Sequence, residues 1–208
     1  MTLYADLFWS FRSPYSYLAT PQYREMTETY DLVINVRPVY PIAIRNPDFF
    51  KSVDPNWVPY LMLDCKRVAE NKGMQFRWPS PDPVAMDVKT RTILPEQPNI
   101  HMITRLGVEA ARAGRGMEFI DAVSRSIFDG STKNWHLPDN LEKTVERAGL
   151  SLAELQEAVL GKEAEVDAEI QVNQDALEAS GHWGVPTLAF NNEPFFGQDR
   201  VDLAIWRM

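Results

Sequence analysis

Ser13-Pro14-Tyr15-Ser16 carries more chemical information than any other stretch of this chain. It follows an apolar, strand-like run from Leu3 to Trp9 and opens a helix-like segment that reaches about Glu28. At such a strand-to-helix corner Cys-x-x-Cys performs thiol–disulfide exchange, because the amide dipoles of a helix N-terminus stabilise a thiolate. Here serine stands at both cysteine positions, so the corner remains without its redox couple. Disulfide exchange through an internal dithiol is excluded. The chemistry that fits is action on a sulfur brought in by a ligand. The competing reading is plain capping, since Ser before Pro is a common N-cap and N1 pair.

Two downstream stretches bear on that choice. Gly184-Val185-Pro186-Thr187 directly precedes a short apolar strand, a setting that suits a cis Val185–Pro186 peptide. In thiol-exchange folds such a loop faces the first helix's N-terminus, and the residue before proline offers free backbone groups to an extended peptide. Phe195-Phe196-Gly197-Gln198-Asp199-Arg200 leads into a final helix from about Asp199, which reads as its N-cap, with Asp202 three residues on. Functionally, a helix N-terminus offers donors to a carboxylate and a neighbouring aspartate can pair with an ammonium. A γ-glutamyl group carries both charges on one carbon.

A free thiol has a pKa of about 8.5, and lowering it by about two units takes roughly 2.7 kcal/mol of preferential stabilisation. The helix end after Ser13 can supply part of this, and a hydroxyl hydrogen bond to the charged sulfur more. Ser13 is thus cast as a donor. A serine nucleophile needs an adjacent base, and the chain has no Gly-x-Ser-x-Gly elbow. A ligand thiolate held there could add reversibly to an electron-poor carbon, allow rotation or ring opening, and leave. If it stays, the same site performs a conjugation.

Other side chains carry weaker signals. His101, His136 and His182 lie far apart and, with Cys65, show no metal spacing, so no metal is expected. His182 and Trp183 immediately precede the proline loop and read either as a cleft wall or as a packed pair. Arg12 and Arg91 could meet a substrate carboxylate or simply be solvated. Trp9, Tyr15, Tyr17, Trp57 and Trp78 read either as an apolar substrate pocket or as core.

The elements that must position these residues fall into three parts. Residues 2–40 read strand, helix, strand; residues 182–208 read strand, an Asn191-Asn192 turn, strand, helix. Helix signals dominate between them. Asp54-Pro55 predicts an N-cap and first-turn proline with Gly73 as the stop. A Pro-rich loop, Trp78 to Pro83, follows. Further helices are predicted around Ile103 to Ala110, over Glu118–Phe128, from Pro138, and from about Glu163 to Ser180. Ser151 and Glu154 form a capping box, with Leu150 and Leu155 as its hydrophobic staple. Neither outer piece could bury its apolar face alone, so they should share one sheet. The predicted class is α/β: a thioredoxin-like core of residues 1–40 and 182–208 carrying a large all-helical insertion, 41–181.

The bulk numbers are consistent with this. The chain has 208 residues, 45% of them hydrophobic and 24% charged, as in a globular protein. Its net charge of −8 argues against nucleic acid as a partner. No apolar run approaches the roughly 20 residues of a membrane span. The N-terminus lacks the basic-then-apolar layout of a signal peptide, so a cytoplasmic location is expected. The single cysteine, Cys65, excludes an internal disulfide and lies in a helical pattern, as a small buried side chain would.

Phe11-Arg12-Ser13-Pro14-Tyr15-Ser16-Tyr17-Leu18-Ala19, Gly184-Val185-Pro186-Thr187 and Phe196-Gly197-Gln198-Asp199-Arg200-Val201-Asp202-Leu203 together resemble the 2-hydroxychromene-2-carboxylate isomerase family. That family stands with the kappa-class glutathione transferases in the DsbA-like branch of the thioredoxin fold. The resemblance implies glutathione as cofactor, with Ser13 beside its sulfur. It further implies Val185 and Pro186 along the tripeptide backbone, and Gln198 and Asp199 at the γ-glutamyl end. It implies a cytoplasmic homodimer that isomerises an electrophilic intermediate of aromatic degradation, an aromatic carboxylate. Arg12, Asn46, Trp57, Tyr60 and Trp183 are the candidates for holding that substrate. The family usually carries a lysine three residues before a tyrosine at the start of the inserted helix, where this chain has Trp57 before Tyr60. Its Asn-x-Pro-Pro stretch is reduced here to Asn46-Pro47-Asp48-Phe49. The alternatives are a kappa-like glutathione transferase and a redox-inactive, peptide-binding or chaperone-like module.

Overall fold

A computed structural model describes residues 1–87, 89–90 and 92–208; Arg91, one of the two arginines considered for a carboxylate, lies outside the described residues. In chain order the elements begin β1 (Leu3–Trp9), α1 (Pro14–Thr29), β2 (Leu32–Pro38), α2 (Ile42–Arg45), α3 (Phe49–Ser52) and α4 (Trp57–Asn71). There follow β3 (Met86–Asp87), β4 (Thr92–Ile93), α5 (Pro98–Arg112), α6 (Gly116–Phe128), α7 (Pro138–Arg147), α8 (Leu152–Val159) and α9 (Glu163–Ala179). The chain closes with β5 (Thr187–Phe190), β6 (Glu193–Phe196) and α10 (Val201–Arg207).

The two ends of the chain build one sheet of order β2-β1-β5-β6. β1 runs parallel to β2, from Leu3 opposite Leu32 to Trp9 opposite Pro38, and antiparallel to β5. β5 turns into β6 through Asn191 and Asn192, whose φ values of 49° and 64° are those of the tight hairpin their side chains tolerate. Alternation along β1 sends Ala5, Leu7 and Trp9 into the main core. Phe8 faces the other way and packs with Val39 and Leu177 of α9. α9 is tied to that face by Asn173, whose side chain donates to the Pro38 carbonyl at 3.1 Å and accepts from Arg37 Nε at 2.9 Å.

Among the described residues the regular structure of the middle of the chain is helical apart from the antiparallel β3–β4 ladder, two residues on each side, which no periodic signal marks. Two helix caps differ from the sequence reading, and α6 starts at Gly116, ahead of the predicted Glu118. α4 begins at Trp57 because Asp54 Oδ1 accepts from Asn56 N at 2.8 Å, an Asx turn that holds Pro55 ahead of the helix. α10 begins at Val201 with Arg200 at the cap position, so Asp199 does not cap it. Ser151 does cap α8, accepting from Glu154 N at 3.3 Å, and Leu155 is buried.

The corner between β1 and α1 is anchored by aromatic packing. Phe11 is buried edge-on to Trp9 at 4.7 Å and to Phe119 at 5.8 Å between ring centroids. A Cβ on Gly107 of α5 would stand 2.8 Å from the Phe11 ring, so only glycine admits that approach. Trp9 Nε1 donates to Thr20 Oγ1, which donates in turn to the Ser16 carbonyl. Strand end and helix start are thereby held as one unit.

Candidate active site

Ser13 takes up both of its possible roles at once. Its φ and ψ of −89° and 112° are those of an N-cap, and Oγ accepts from Ser16 N at 3.2 Å. The same hydroxyl donates to the Val185 carbonyl at 3.2 Å, across the cleft. Capping alone needs only the acceptor; the donor contact joins the corner to the proline loop. Val185–Pro186 is cis, as the sequence predicts. Gly197 N donates to the Pro186 carbonyl at 2.9 Å, which brings Gln198 and Asp199 alongside the same loop. Pro14 at N1 has no N–H, the first turn of α1 holds no acidic side chain, and the Tyr15 amide has no partner among the described hydrogen bonds. The positive end of α1 therefore faces the cleft without a neighbouring carboxylate in its own first turn.

Aromatic rings gather beside the corner and the proline loop, with Phe50 against Arg12 and Phe49 against Trp183. Phe49 lies 5.7 Å from both Trp57 and Trp183, and Phe50 lies 6.1 Å from Trp57. His182 stacks on Trp183 at 5.6 Å and on Phe196 at 3.9 Å. The Phe196 ring leans so far over the proline loop that a Cβ on Gly184 would come within 2.4 Å of it. His182 Nδ1 accepts from Gly184 N at 2.8 Å, and burial holds this imidazole below its usual pKa. The ring is therefore neutral near pH 7, with Nδ1 bearing the lone pair that this bond requires.

The remaining candidates sort by their partners. Arg12 is held by Asp82, Nε to Oδ1 at 2.8 Å and Nη2 to Oδ2 at 3.0 Å, and lies 5.3 Å from the Phe50 ring centroid. Its charge is thus already matched. Asn46 is exposed and ends α2 through its backbone; Tyr60 is 59% exposed on α4. Asp199 is exposed and pairs with Arg200 at 2.8 Å, while Gln198 is partly buried. Trp9 and Tyr17 belong to the core and not to a substrate pocket: Trp9 is fully buried, and Tyr17 stacks on Phe128 while its hydroxyl donates to the Gln75 carbonyl. Trp78 packs edge-on against Phe76. Tyr15 donates to Asp64 Oδ2 at 2.6 Å, and burial together with that carboxylate raises its phenol far above the usual range. Cys65 is buried beside Asp64, and burial pushes its thiol up to about 12. The protein's own sulfur is no thiolate at neutral pH.

Three candidate site residues escape the sequence reading. Phe49 and Phe50 stand in a polar stretch where only their adjacency marks them. Arg45, in a four-residue helix, has no sequence signal at all. Its Nε donates to the Tyr40 carbonyl and its Nη2 to the Trp183 carbonyl, each at 2.8 Å.

A four-stranded mixed sheet whose first strand feeds a capped helix facing a cis-proline loop defines a thioredoxin-type protein. Residues 5–204 match the profile of the DSBA-like thioredoxin domain, and the chain belongs to that family. Among solved structures it is similar to a 2-hydroxychromene-2-carboxylate isomerase, with 16% identity, a TM-score of 0.74, and coverage of 99% of this chain and 94% of that one. It is also similar to the cytosolic disulfide reductase DsbM from Pseudomonas aeruginosa, with 17% identity, a TM-score of 0.61, and coverage of 99% and 98%. The same reductase solved with GSH gives 16% identity and a TM-score of 0.58 over 99% and 98% of the two chains. No curated protein sequence is a significant match to this chain. Among the described residues no helix is long and apolar enough to cross a membrane.

Proposed function

We propose that this protein is a glutathione-dependent isomerase of the 2-hydroxychromene-2-carboxylate isomerase type, acting in the cytoplasm on an electron-poor aromatic carboxylate. One observation carries the reading: the Ser13 hydroxyl and the Val185 carbonyl, the two groups a thiol tripeptide would need, pair with each other at 3.2 Å. Each is thus satisfied without a ligand and can be released to one. The residues present fit glutathione on that ground. The Val185 carbonyl is set to accept a peptide N–H, which frees the Ser13 O–H to turn toward sulfur while Oγ keeps its bond from Ser16 N.

Bound glutathione supplies a thiolate that can add reversibly to an electron-poor carbon and leave unchanged. Ser13 Oγ–H and the unpartnered Tyr15 amide are the donors that stabilise negative charge at the corner, each worth about 1.5–3 kcal/mol toward a charged acceptor. Together with the α1 dipole they cover the roughly 2.7 kcal/mol that a two-unit lowering of a thiol pKa requires. Asp199 is the receptor for the γ-glutamyl ammonium, exchanging its exposed pair with Arg200, and Gln198 adds an amide beside it. Phe49, Phe50, Trp57 and Trp183 offer a flat apolar wall for an aromatic ring and exclude water from it. A homodimer belongs to the same reading, in keeping with a final helix that leaves Leu203 and Trp206 48% and 76% exposed; sedimentation tests it.

The deciding experiment follows the free thiol during turnover of the aromatic carboxylate. An isomerase returns glutathione in full. A transferase consumes one equivalent per product, and that outcome would replace isomerisation by kappa-like conjugation at the same site. Preference for extended peptides over glutathione in a competition titration would instead support the binding-module alternative.

A further inference from the structure

Two guanidinium groups lie near the corner, Arg12 as the sequence neighbour of Ser13 and Arg45 through its bond to the Trp183 carbonyl just before the proline loop, and they differ in one respect. Arg12 is neutralised by both oxygens of Asp82, which also accepts from Val84 N at 2.9 Å. Arg45 is partly buried and is held only by two neutral carbonyls, those of Tyr40 and Trp183. Among the described residues no carboxylate forms an ion pair with it; Glu178 is the acidic group whose field reaches it. Burial lowers its pKa, the mark of a charge kept from water without a matching partner, yet arginine remains protonated. A guanidinium has five N–H donors and two are in use, leaving a fork free for a planar anion. One of the two is fixed to Trp183, two residues before Val185 and beside the Phe49 ring.

We infer that Arg45 is the carboxylate receptor at the mouth of the cleft and a determinant of which ligands the site accepts. This rests on the reading of the site as one for a thiol tripeptide and an aromatic carboxylate, and either could present the carboxylate. Arg12 is the weaker receptor, because an incoming anion must first displace Asp82. Arg45 has nothing to displace, and pairing would relieve a desolvated charge.

Calorimetric titrations distinguish the two sources. The probes are glutathione, its glycyl monoethyl ester, trans-cinnamate, and neutral cinnamamide as a control. If the glycyl carboxylate is the partner, Arg45→Gln weakens glutathione about ten- to a hundredfold. The ester then binds wild type and variant alike, at the weakened level. If the electrophile's carboxylate is the partner, glutathione and ester are unaffected, and cinnamate binding in the presence of glutathione is lost in Arg45→Gln. In either case Arg45→Lys restores part of the carboxylate preference. Equal weakening of glutathione and ester would show that Arg45 merely braces Tyr40 and Trp183, and overturns the proposal. So does Arg45-independent binding of both carboxylates. Failure of wild type to bind glutathione at all would overturn the tripeptide reading instead, and cinnamate binding without glutathione, compared between wild type and Arg45→Gln, would then decide the role of Arg45.

Discussion

Ser13→Ala removes one oxygen atom that does two jobs, and the two losses are separable. The first is the cap: Ser16 N loses its acceptor, which costs about 1 kcal/mol of folding stability. The second is the donor that turns from the Val185 carbonyl to a ligand sulfur. A hydrogen bond to a charged acceptor is worth about 1.5–3 kcal/mol, so its loss raises the bound-thiol pKa by about one to two units. Ultraviolet absorbance of the thiolate, followed against pH with glutathione at saturation, reads that shift directly; chemical denaturation reads the first loss. Ser13→Asp separates them, because its carboxylate can accept from the Ser16 amide and keep the cap but has no proton to donate to sulfur. It should recover stability while leaving the thiol pKa high. A lower stability with an unchanged bound-thiol pKa in Ser13→Ala would refute the donor role and return Ser13 to capping alone.

Other consequences can be measured on the same preparation. Gly184→Ala places a methyl within 2.4 Å of the Phe196 ring; the ring must move, and we expect a loss of about 1–3 kcal/mol with weaker glutathione binding, seen by thermal melting and calorimetry. Ser16→Ala should be neutral or stabilising by up to about 1 kcal/mol, since the buried Ser16 hydroxyl has no partner; destabilisation would mean that it bonds in solution. Folding stability should fall as pH drops below about 6.5, because burial depresses His101 and His182 in the folded state and the unfolded chain then binds more protons. Urea midpoints at pH 5 and pH 7 test this, and equal midpoints in the wild type would contradict it.

The sequence alone determined what depends on neighbours along the chain. The apolar alternation of β1 and β2, the Ser13 cap with Pro14 behind it and the Asn191-Asn192 turn are local matters of periodicity, hydrogen bonding within a few residues and backbone preference. Where local signals rival one another the sequence left the choice open: Asp54 and Asp199 read equally well as caps, but one closes an Asx turn and the other pairs with Arg200, and both helices start later than the cap reading gives. Tertiary structure decided what depends on distant groups. Trp9 and Trp57 are alike as residues; strand alternation sends the first into the core, and the packing of α3 and α4 leaves the second at the cleft. The largest such decision concerns charge. Arg12 looked available until Asp82, far along the chain, came within hydrogen-bond reach, and Arg45 carried no signal until folding left it without a counter-ion. Whether a charge is matched depends on which distant groups the fold brings within a few ångströms, and spacing along a chain does not encode that distance.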